Sequence, residues 1–364
     1  MTADIRMWLA DPLPPEAAQL IHRLAQALDA RRVAVLPDVH AAIDVCIGVA
    51  LGTSSLIYPH AVGSDIGCGM STLRFTGPAP DARARANILR RLQRKVRVLT
   101  RGPGLALPPP DLLSDEALRK AALRDGAREI GTLGRGNHFI ELQADEEGAV
   151  WALVHSGSRA MGQVITTHHL RRSTPGALPS LEAGLPAGAA YLADAAWACD
   201  FARASRRAML DDVASALRGF DLTPEPHTLI DSCHNMVRLE EHDGVLLLVH
   251  RKGAASARAG EPGIIPGSAG TYSVHVEGRG CASALCSSSH GAGRVLSRSQ
   301  ARRQVSPARL QREMAAVTFS TRLAAKLVDE APCVYRNLRK VLAAQRDLVK
   351  TTRTLTPFLS FKGV

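Results

Sequence analysis

Eight residues, Gly63-Ser64-Asp65-Ile66-Gly67-Cys68-Gly69-Met70, constrain this chain more than any other stretch. They place a carboxylate and a thiol three residues apart, with glycines at 63, 67 and 69. Backbone this bendable does not continue a helix and is free to turn tightly between the two side chains. A thiolate and a carboxylate that close suit a divalent cation. The competing reading is a turn ahead of a strand, with Cys68 as a small buried hydrophobe. The choice depends on whether the rest of the chain supplies further ligands.

Composition narrows the setting. The 364 residues can bury a substantial core, and 46% apolar with 22% charged residues is the profile of a soluble globular protein. No apolar run reaches the length of a bilayer span, and Met1-Thr2-Ala3-Asp4-Ile5-Arg6 lacks the layout of a signal peptide. Seven cysteines, an odd number without framework spacing, fit a reducing cytoplasm. The net charge of +11, carried mostly by arginine, points to a polyanionic partner.

The chain reads as alternating elements. Helical spacing predicts helices over 15–31, 81–99, 114–124 (with Ser114 as N-cap), 189–220, 297–304, 308–317 and 338–349. Strands are expected at 32–36, 46–51, 55–58, 150–154, 228–231, 245–249, 271–276 and 358–364, and one begins after Asn137-His138. Residues 102–111, with three consecutive prolines, read as a loop. No internal repeat and no long linker divides the chain.

His138, His155 and His234 each fall at a strand end or in a small-residue loop, and none lies on a helix face. With Asp65 and Cys68 they make a set of five whose types suit one or two borderline metals, with Cys68 able to bridge. His290-Gly-Ala-Gly-Arg294 differs in kind: the flanking glycines leave the imidazole open to a bulky phosphate, and Arg294 supplies a fixed positive charge. A glycine-rich turn before the next helix is the alternative reading of the same residues.

PDVH (37–40), GSDIGCGM (63–70), GRGNHFIEL (134–142), HSGSR (155–159), HN (234–235), HRKGA (250–254), PGSAGT (266–271) and HGAGR (290–294) together resemble the RtcB family of RNA ligases. The motifs stand in the family's order and run from about residue 33 to Lys362-Gly363. The resemblance implies an α+β fold, with a single RtcB-like domain over 1–364 and a β-sheet core flanked by helices around a metal-containing cleft. It also implies a GTP- and Mn²⁺-dependent ligase with two ions. Such an enzyme joins RNA ends bearing a 2′,3′-cyclic phosphate or 3′-phosphate to 5′-hydroxyl ends.

Carried over residue by residue, the resemblance makes Cys68 the bridging ligand. Asp65 and His138 would join it at one metal, and His155 and His234 at the other. His290 would be the guanylylated nucleophile, on a route through a histidine-guanylate and an RNA(3′)pp(5′)G end. Asn137 and Arg294 match phosphate contacts, and Arg159 a position needed for ligation. Glu141 and Lys362 match the guanine-reading pair. Phe139, Ser268, Ser273, Gly291, Ala292, Gly293 and Tyr335 complete the expected nucleotide pocket. A release-factor-like protein or an archease is the kind of partner the resemblance suggests, in the cytoplasm.

One stretch departs from the family. After PDVH the family has Gly-x-Gly and then Pro-Ile-Gly, whereas here the run is Ala41-Ala42-Ile43-Asp44-Val45-Cys46-Ile47-Gly48, which predicts altered handling of RNA ends. Two other functions use fewer of these residues. A metal-dependent phosphodiesterase or phosphatase would leave His290, Glu141 and Lys362 without a purpose. A silent RNA-binding relative would need none of the metal ligands.

Overall fold

The computed structural model describes residues 3–102 and 104–364; Pro103 of the expected loop and Met1-Thr2 of the N-terminal stretch lie outside it. In chain order the first strands are β1 (Asp4–Met7), β2 (Ala30–His40), β3 (Ile47–Thr53), β4 (Leu56–Ile57) and β5 (Gly69–Thr76). Then come β6 (Phe139–Asp145), β7 (Val150–Ser156), β8 (Leu181–Glu182), β9 (Thr223–Cys233), β10 (Asn235–His242) and β11 (Val245–Lys252). The last are β12 (Ala254–Ser256), β13 (Pro262–Ile265), β14 (Ser273–Gly278), β15 (Ser287–Ser289) and β16 (Val349–Lys362). A seven-stranded sheet has the order β13-β14-β16-β6-β7-β5-β9, and a five-stranded sheet the order β1-β2-β3-β11-β10. Two small sheets pair β12 with β15 and β4 with β8. The fold is α+β, as expected.

The large sheet divides its labour by face, because side chains alternate along a strand. Leu73 and Phe75 of β5, Ile140 and Leu142 of β6, and Val150, Ala152 and Val154 of β7 share an apolar face. Two helices cover it: Ala82–Lys95 through Ile88, Leu89 and Leu92, and the long helix Pro186–Leu217 through Met209, Leu210, Val213 and Leu217. The intervening residues Met70, Phe139, Glu141, Leu153 and His155 point the other way, and opposite them on β16 stand Ser360 and Lys362. That second face forms the floor of the site.

Several boundaries differ from expectation for local reasons. The first helix stops at Ala25 rather than Arg31, because Asp29 takes a left-handed φ of 60° and turns the chain into β2. The Asp29 carboxylate also accepts the Ser55 and Leu56 N–H groups at 2.6 and 3.0 Å. Strand β2 runs on through Pro37 to His40, since its register with β3 shifts between Val35 and His40 and proline breaks no ladder bond there. Ser114 does not cap a helix: it donates to Asp194 through N–H and Oγ at 2.8 and 2.7 Å, and Asp115 caps Glu116–Ala121 instead. The expected strand at 228–231 is the middle of β9, an edge strand that accommodates Pro224 and Pro226.

Candidate active site

The five expected cation ligands come from four separate segments and converge. Cys68 ends the glycine-rich turn just before β5, His155 lies near the end of β7, His234 joins β9 to β10, and Asp65 and His138 stand on loops. Two groups result, Asp65–Cys68–His138 and Cys68–His155–His234, with the ligating atoms of each within 4.8 Å of one another. Cys68 Sγ is 3.3 Å from His155 Nε2 and 3.6 Å from His138 Nε2, and His138 Nε2 is 3.1 Å from Asp65 Oδ2. Gly157 leaves room for this carboxylate, because a Cβ there would stand 2.3 Å from Asp65 Oδ1.

The surroundings fix which atoms face inward. His138 Nδ1–H donates to the Leu133 carbonyl at 2.9 Å and His155 Nδ1–H to the Asn137 carbonyl at 3.1 Å, so both Nε2 lone pairs turn toward Cys68. Burial, then the neighbouring imidazoles, holds His155 and His234 well below the usual histidine value, so both are neutral and able to ligate. Burial and the Asp65 carboxylate push the Cys68 thiol well above its ordinary value. Burial also raises Asp65, but its contacts with His138 and Arg159 outweigh that and hold it low. A thiol this reluctant to ionise is what a cation would convert to a thiolate. The donor set, one shared sulfur with imidazole and carboxylate, fits a pair of divalent transition ions.

His290 follows β15 and stands at the edge of this cluster, its ring centroid 4.8 Å from that of His234. Its Nδ1 lies 2.6 Å from Asp38 Oδ2, off the line of an ideal hydrogen bond, and the same oxygen accepts the His290 backbone N–H at 3.1 Å. Nε2 is therefore the ring nitrogen that Asp38 leaves unengaged. Gly253 of HRKGA is required here, since its φ is 61° and a Cβ would come within 3.1 Å of the His290 ring. Arg336 ties the two segments together by donating to the carbonyls of Asp38, Val39 and Arg294 at 3.3, 2.8 and 3.2 Å.

A cavity of about 310 Å³ opens beside His290. Asn137, Phe139, Glu141, Ser268, Tyr335 and Lys362 line it, together with Gly291, Ala292, Gly293 and Arg294. Arg294 lies over the Tyr335 ring, and its Nη2 is buried without a hydrogen-bond partner, a donor free for an anion. Ser273 does not line the cavity; it is fully buried and accepts Gln143 Nε2 at 3.0 Å, while Gln143 also donates to Glu141 at 2.9 Å. Lys362 pairs with Glu330 at 2.6 Å rather than with Glu141, because its side chain reaches across the floor to the carboxylate that Arg298 and Tyr335 also approach. Burial would raise Glu330, but Lys362, Arg298 and Tyr335 outweigh it and hold it at about 2. Arg159 sits outside the cavity wall, folded against Gly134 with Nη1 3.5 Å from His138 Nδ1, and has a left-handed φ of 59°.

Asp38, Glu330 and Arg336 are the residues sequence reasoning missed. Asp38 was visible in PDVH, but nothing in the spacing says that residue 38 faces residue 290. The divergent turn between His40 and Ile47 lies at the cavity mouth, both residues being lining. Lys252 Nζ holds it through the Ile43 and Val45 carbonyls at 3.2 and 2.8 Å, and burial pushes this lysine down to about 8.

No helix among the described residues is long and apolar enough to cross a membrane. The family described as tRNA-splicing ligase RtcB matches residues 21–107 and 110–363. The RNA-splicing ligase RtcB of Escherichia coli (strain K12) is 36% identical over 401 residues, covering 99% of this chain and 98% of its own. That of Mycobacterium tuberculosis is 29% identical, covering 90% and 96%. The tRNA-splicing ligase RtcB of Pyrococcus furiosus is 31% identical over 74% of this chain and 33% of its own. A family match over nearly every residue, and a relative this similar from end to end, make this chain a member of the RtcB family.

Proposed function

We propose that this protein is an RNA ligase that joins 2′,3′-cyclic phosphate or 3′-phosphate ends to 5′-hydroxyl ends, using GTP and two Mn²⁺ ions. The observation that carries the reading is the position of His290, oriented by Asp38 between the cation ligands and a cavity of small-molecule size. A phosphodiesterase or phosphatase needs the ligands alone and leaves this histidine and its cavity idle. The same reading takes residues 1–364 as one ligase domain, supported by a cavity lined by His40 and by Lys362.

The residues divide the work of phosphoryl transfer. His290 Nε2 attacks the α-phosphorus of GTP and pyrophosphate leaves, with the imidazolium proton held at Nδ1 against Asp38. A 2′,3′-cyclic end is first opened by one water to the 3′-phosphate. An oxygen of that 3′-phosphate then displaces His290 from the guanylate, giving the RNA(3′)pp(5′)G end. The 5′-hydroxyl attacks that end and GMP leaves. Arg294 Nη2 and the Asn137 amide take the non-bridging oxygens, and Arg159 lends positive charge beside the Asp65 carboxylate. Divalent cations, when bound, would neutralise the phosphoryl charge as these bonds exchange. Glu141 would accept the guanine N–H groups and Lys362 would donate to the base oxygen.

The test uses α-labelled GTP with Mn²⁺ and the purified protein, alongside His290→Ala. Label held on the denatured wild type through an acid-labile, alkali-stable bond, and absent from the variant, is the expected result. No label on either protein while cations are bound would favour the phosphodiesterase.

Glu141 gives this site a pH dependence. Burial pushes its carboxyl up to about 7, against the pull of Gln143, Lys362 and Ser360. Only the ionised form accepts both guanine N–H groups, so nucleotide affinity should rise about tenfold between pH 6 and pH 8. Its contribution to folding runs the other way: it is fully present below pH 4.5 and is lost as pH rises through about 7. Binding of GTP to His290→Ala protein isolates affinity from chemistry, and Glu141→Gln should flatten the profile. A slope that survives Glu141→Gln would assign the titration elsewhere.

A further inference from the structure

We infer that Arg206, on the long helix Pro186–Leu217, is a positioning residue for the Cys68–His155–His234 group. The inference rests on the reading that this group holds a cation. Arg206 is completely buried. Its Nη1 donates to the Gly67 carbonyl at 2.8 Å and the Ser156 carbonyl at 3.0 Å. Its Nε donates to Ser71 Oγ at 3.0 Å and to Asp231 Oδ2 at 2.9 Å, and its Nη2 to Asp231 Oδ1 at 2.8 Å.

The addresses of those bonds carry the argument. Gly67 precedes Cys68, Ser156 follows His155, and Asp231 lies on β9 three residues before His234. One planar guanidinium thus fastens all three segments that deliver the ligands, without touching a ligand atom. The segments are also tied to each other, since the His234 N–H donates to the Cys68 carbonyl at 2.9 Å. Sheet pairing sets Gly69 opposite both Ser156 and Cys233, and Arg206 adds a side-chain tie across the three strand ends where those ladders run out. Ligand sets tolerate displacements of only about 0.5 Å. Arginine suits the task because its donors lie in one rigid fork and it keeps its proton at any working pH. Lysine would keep the charge and lose the fork.

A buried ion pair could instead serve stability alone. Arg251, also fully buried, provides the comparison: its bonds run to Glu240, Ser287 and Leu285, away from the cation ligands. The experiment titrates full-length protein with cobalt(II) alone at a temperature far below melting. It follows the near-ultraviolet thiolate-to-cobalt band and the visible bands, with thermal melts alongside. Arg206→Lys should bind cobalt about 10-fold more weakly, the low end of the range for a direct outer-shell partner because Arg206 acts through the ligands' neighbours, and with changed visible intensity. Arg251→Lys should keep the wild-type titration.

Wild-type cobalt affinity and spectra in Arg206→Lys would overturn the inference, whatever its melting point. So would an equal weakening in both variants, which would mark a general loss of stability. If Arg206→Lys does not fold, Asp231→Asn decides by the same criteria, because it loosens the guanidinium while keeping the volume. A wild type with no thiolate band, or one that persists in Cys68→Ala, would overturn the cation reading itself and the inference with it.

Discussion

Replacing Cys68 with alanine is expected to empty both cation groups at once, whereas His155→Ala should weaken only one. The reason is that Cys68 Sγ belongs to both triads, so its removal leaves Asp65–His138 and His155–His234 as bare pairs. Losing an outer-shell partner already costs up to about 100-fold in metal affinity, and a direct ligand shared by two sites should cost more at each. Removing one electrostatic stabiliser of a transition state costs about 10²- to 10³-fold in rate, so end joining should fall by on the order of 10⁴ or more. Metal content after gel filtration is the direct measurement. Two tightly held ions in Cys68→Ala would refute the shared thiolate, and one in each variant would make the two groups independent.

Asp38→Asn should be nearly as damaging to chemistry while sparing the cations. Asp38 is fully buried, and its Oδ2 meets both Nδ1 and the backbone N–H of His290. An asparagine of the same shape can offer an N–H in place of the carboxylate oxygen, which would move the imidazole proton to Nε2 and block the reacting lone pair. The same exchange beside a catalytic histidine in a serine protease costs about 10⁴-fold. Guanylylation should therefore fall by roughly 10²- to 10⁴-fold with metal content unchanged. Labelling at the wild-type rate would show that Asp38 only supports the backbone.

The five residues that converge in the candidate cation groups are legible in the sequence as a set of ligand types. Asp65 and Cys68 stand in a glycine-rich turn, and His138, His155 and His234 at strand ends or in small-residue loops. Their grouping comes only from the family resemblance. The sequence also makes the large sheet legible where apolar residues alternate, as in β7. What it hides is long-range pairing. No period in PDVH announces that Asp38 faces His290, and nothing near Lys362 announces Glu330 as its partner rather than Glu141. Helix ends fail for a related reason, since Asp29 ends the first helix partly by serving Ser55 and Leu56 on another segment. Arg206 illustrates the limit: in the sequence it is one of three arginines on a helix, and only the fold shows the three segments meeting at its guanidinium.

Strand β16 sets an order of assembly during synthesis. It pairs with β14 on one side and β6 on the other, and the hairpin β13–β14 joins the large sheet only through it. All five candidate cation ligands precede residue 235, while Lys362 lies on β16 itself. At about 5–20 residues per second, a ribosome displays the complete ligand set on the order of ten seconds before the cavity floor exists. On the proposed function, a nascent chain would meet its cations early and would have no finished pocket for a nucleotide until β16 lies between its two neighbours. The proposed chemistry would wait for the sheet to close.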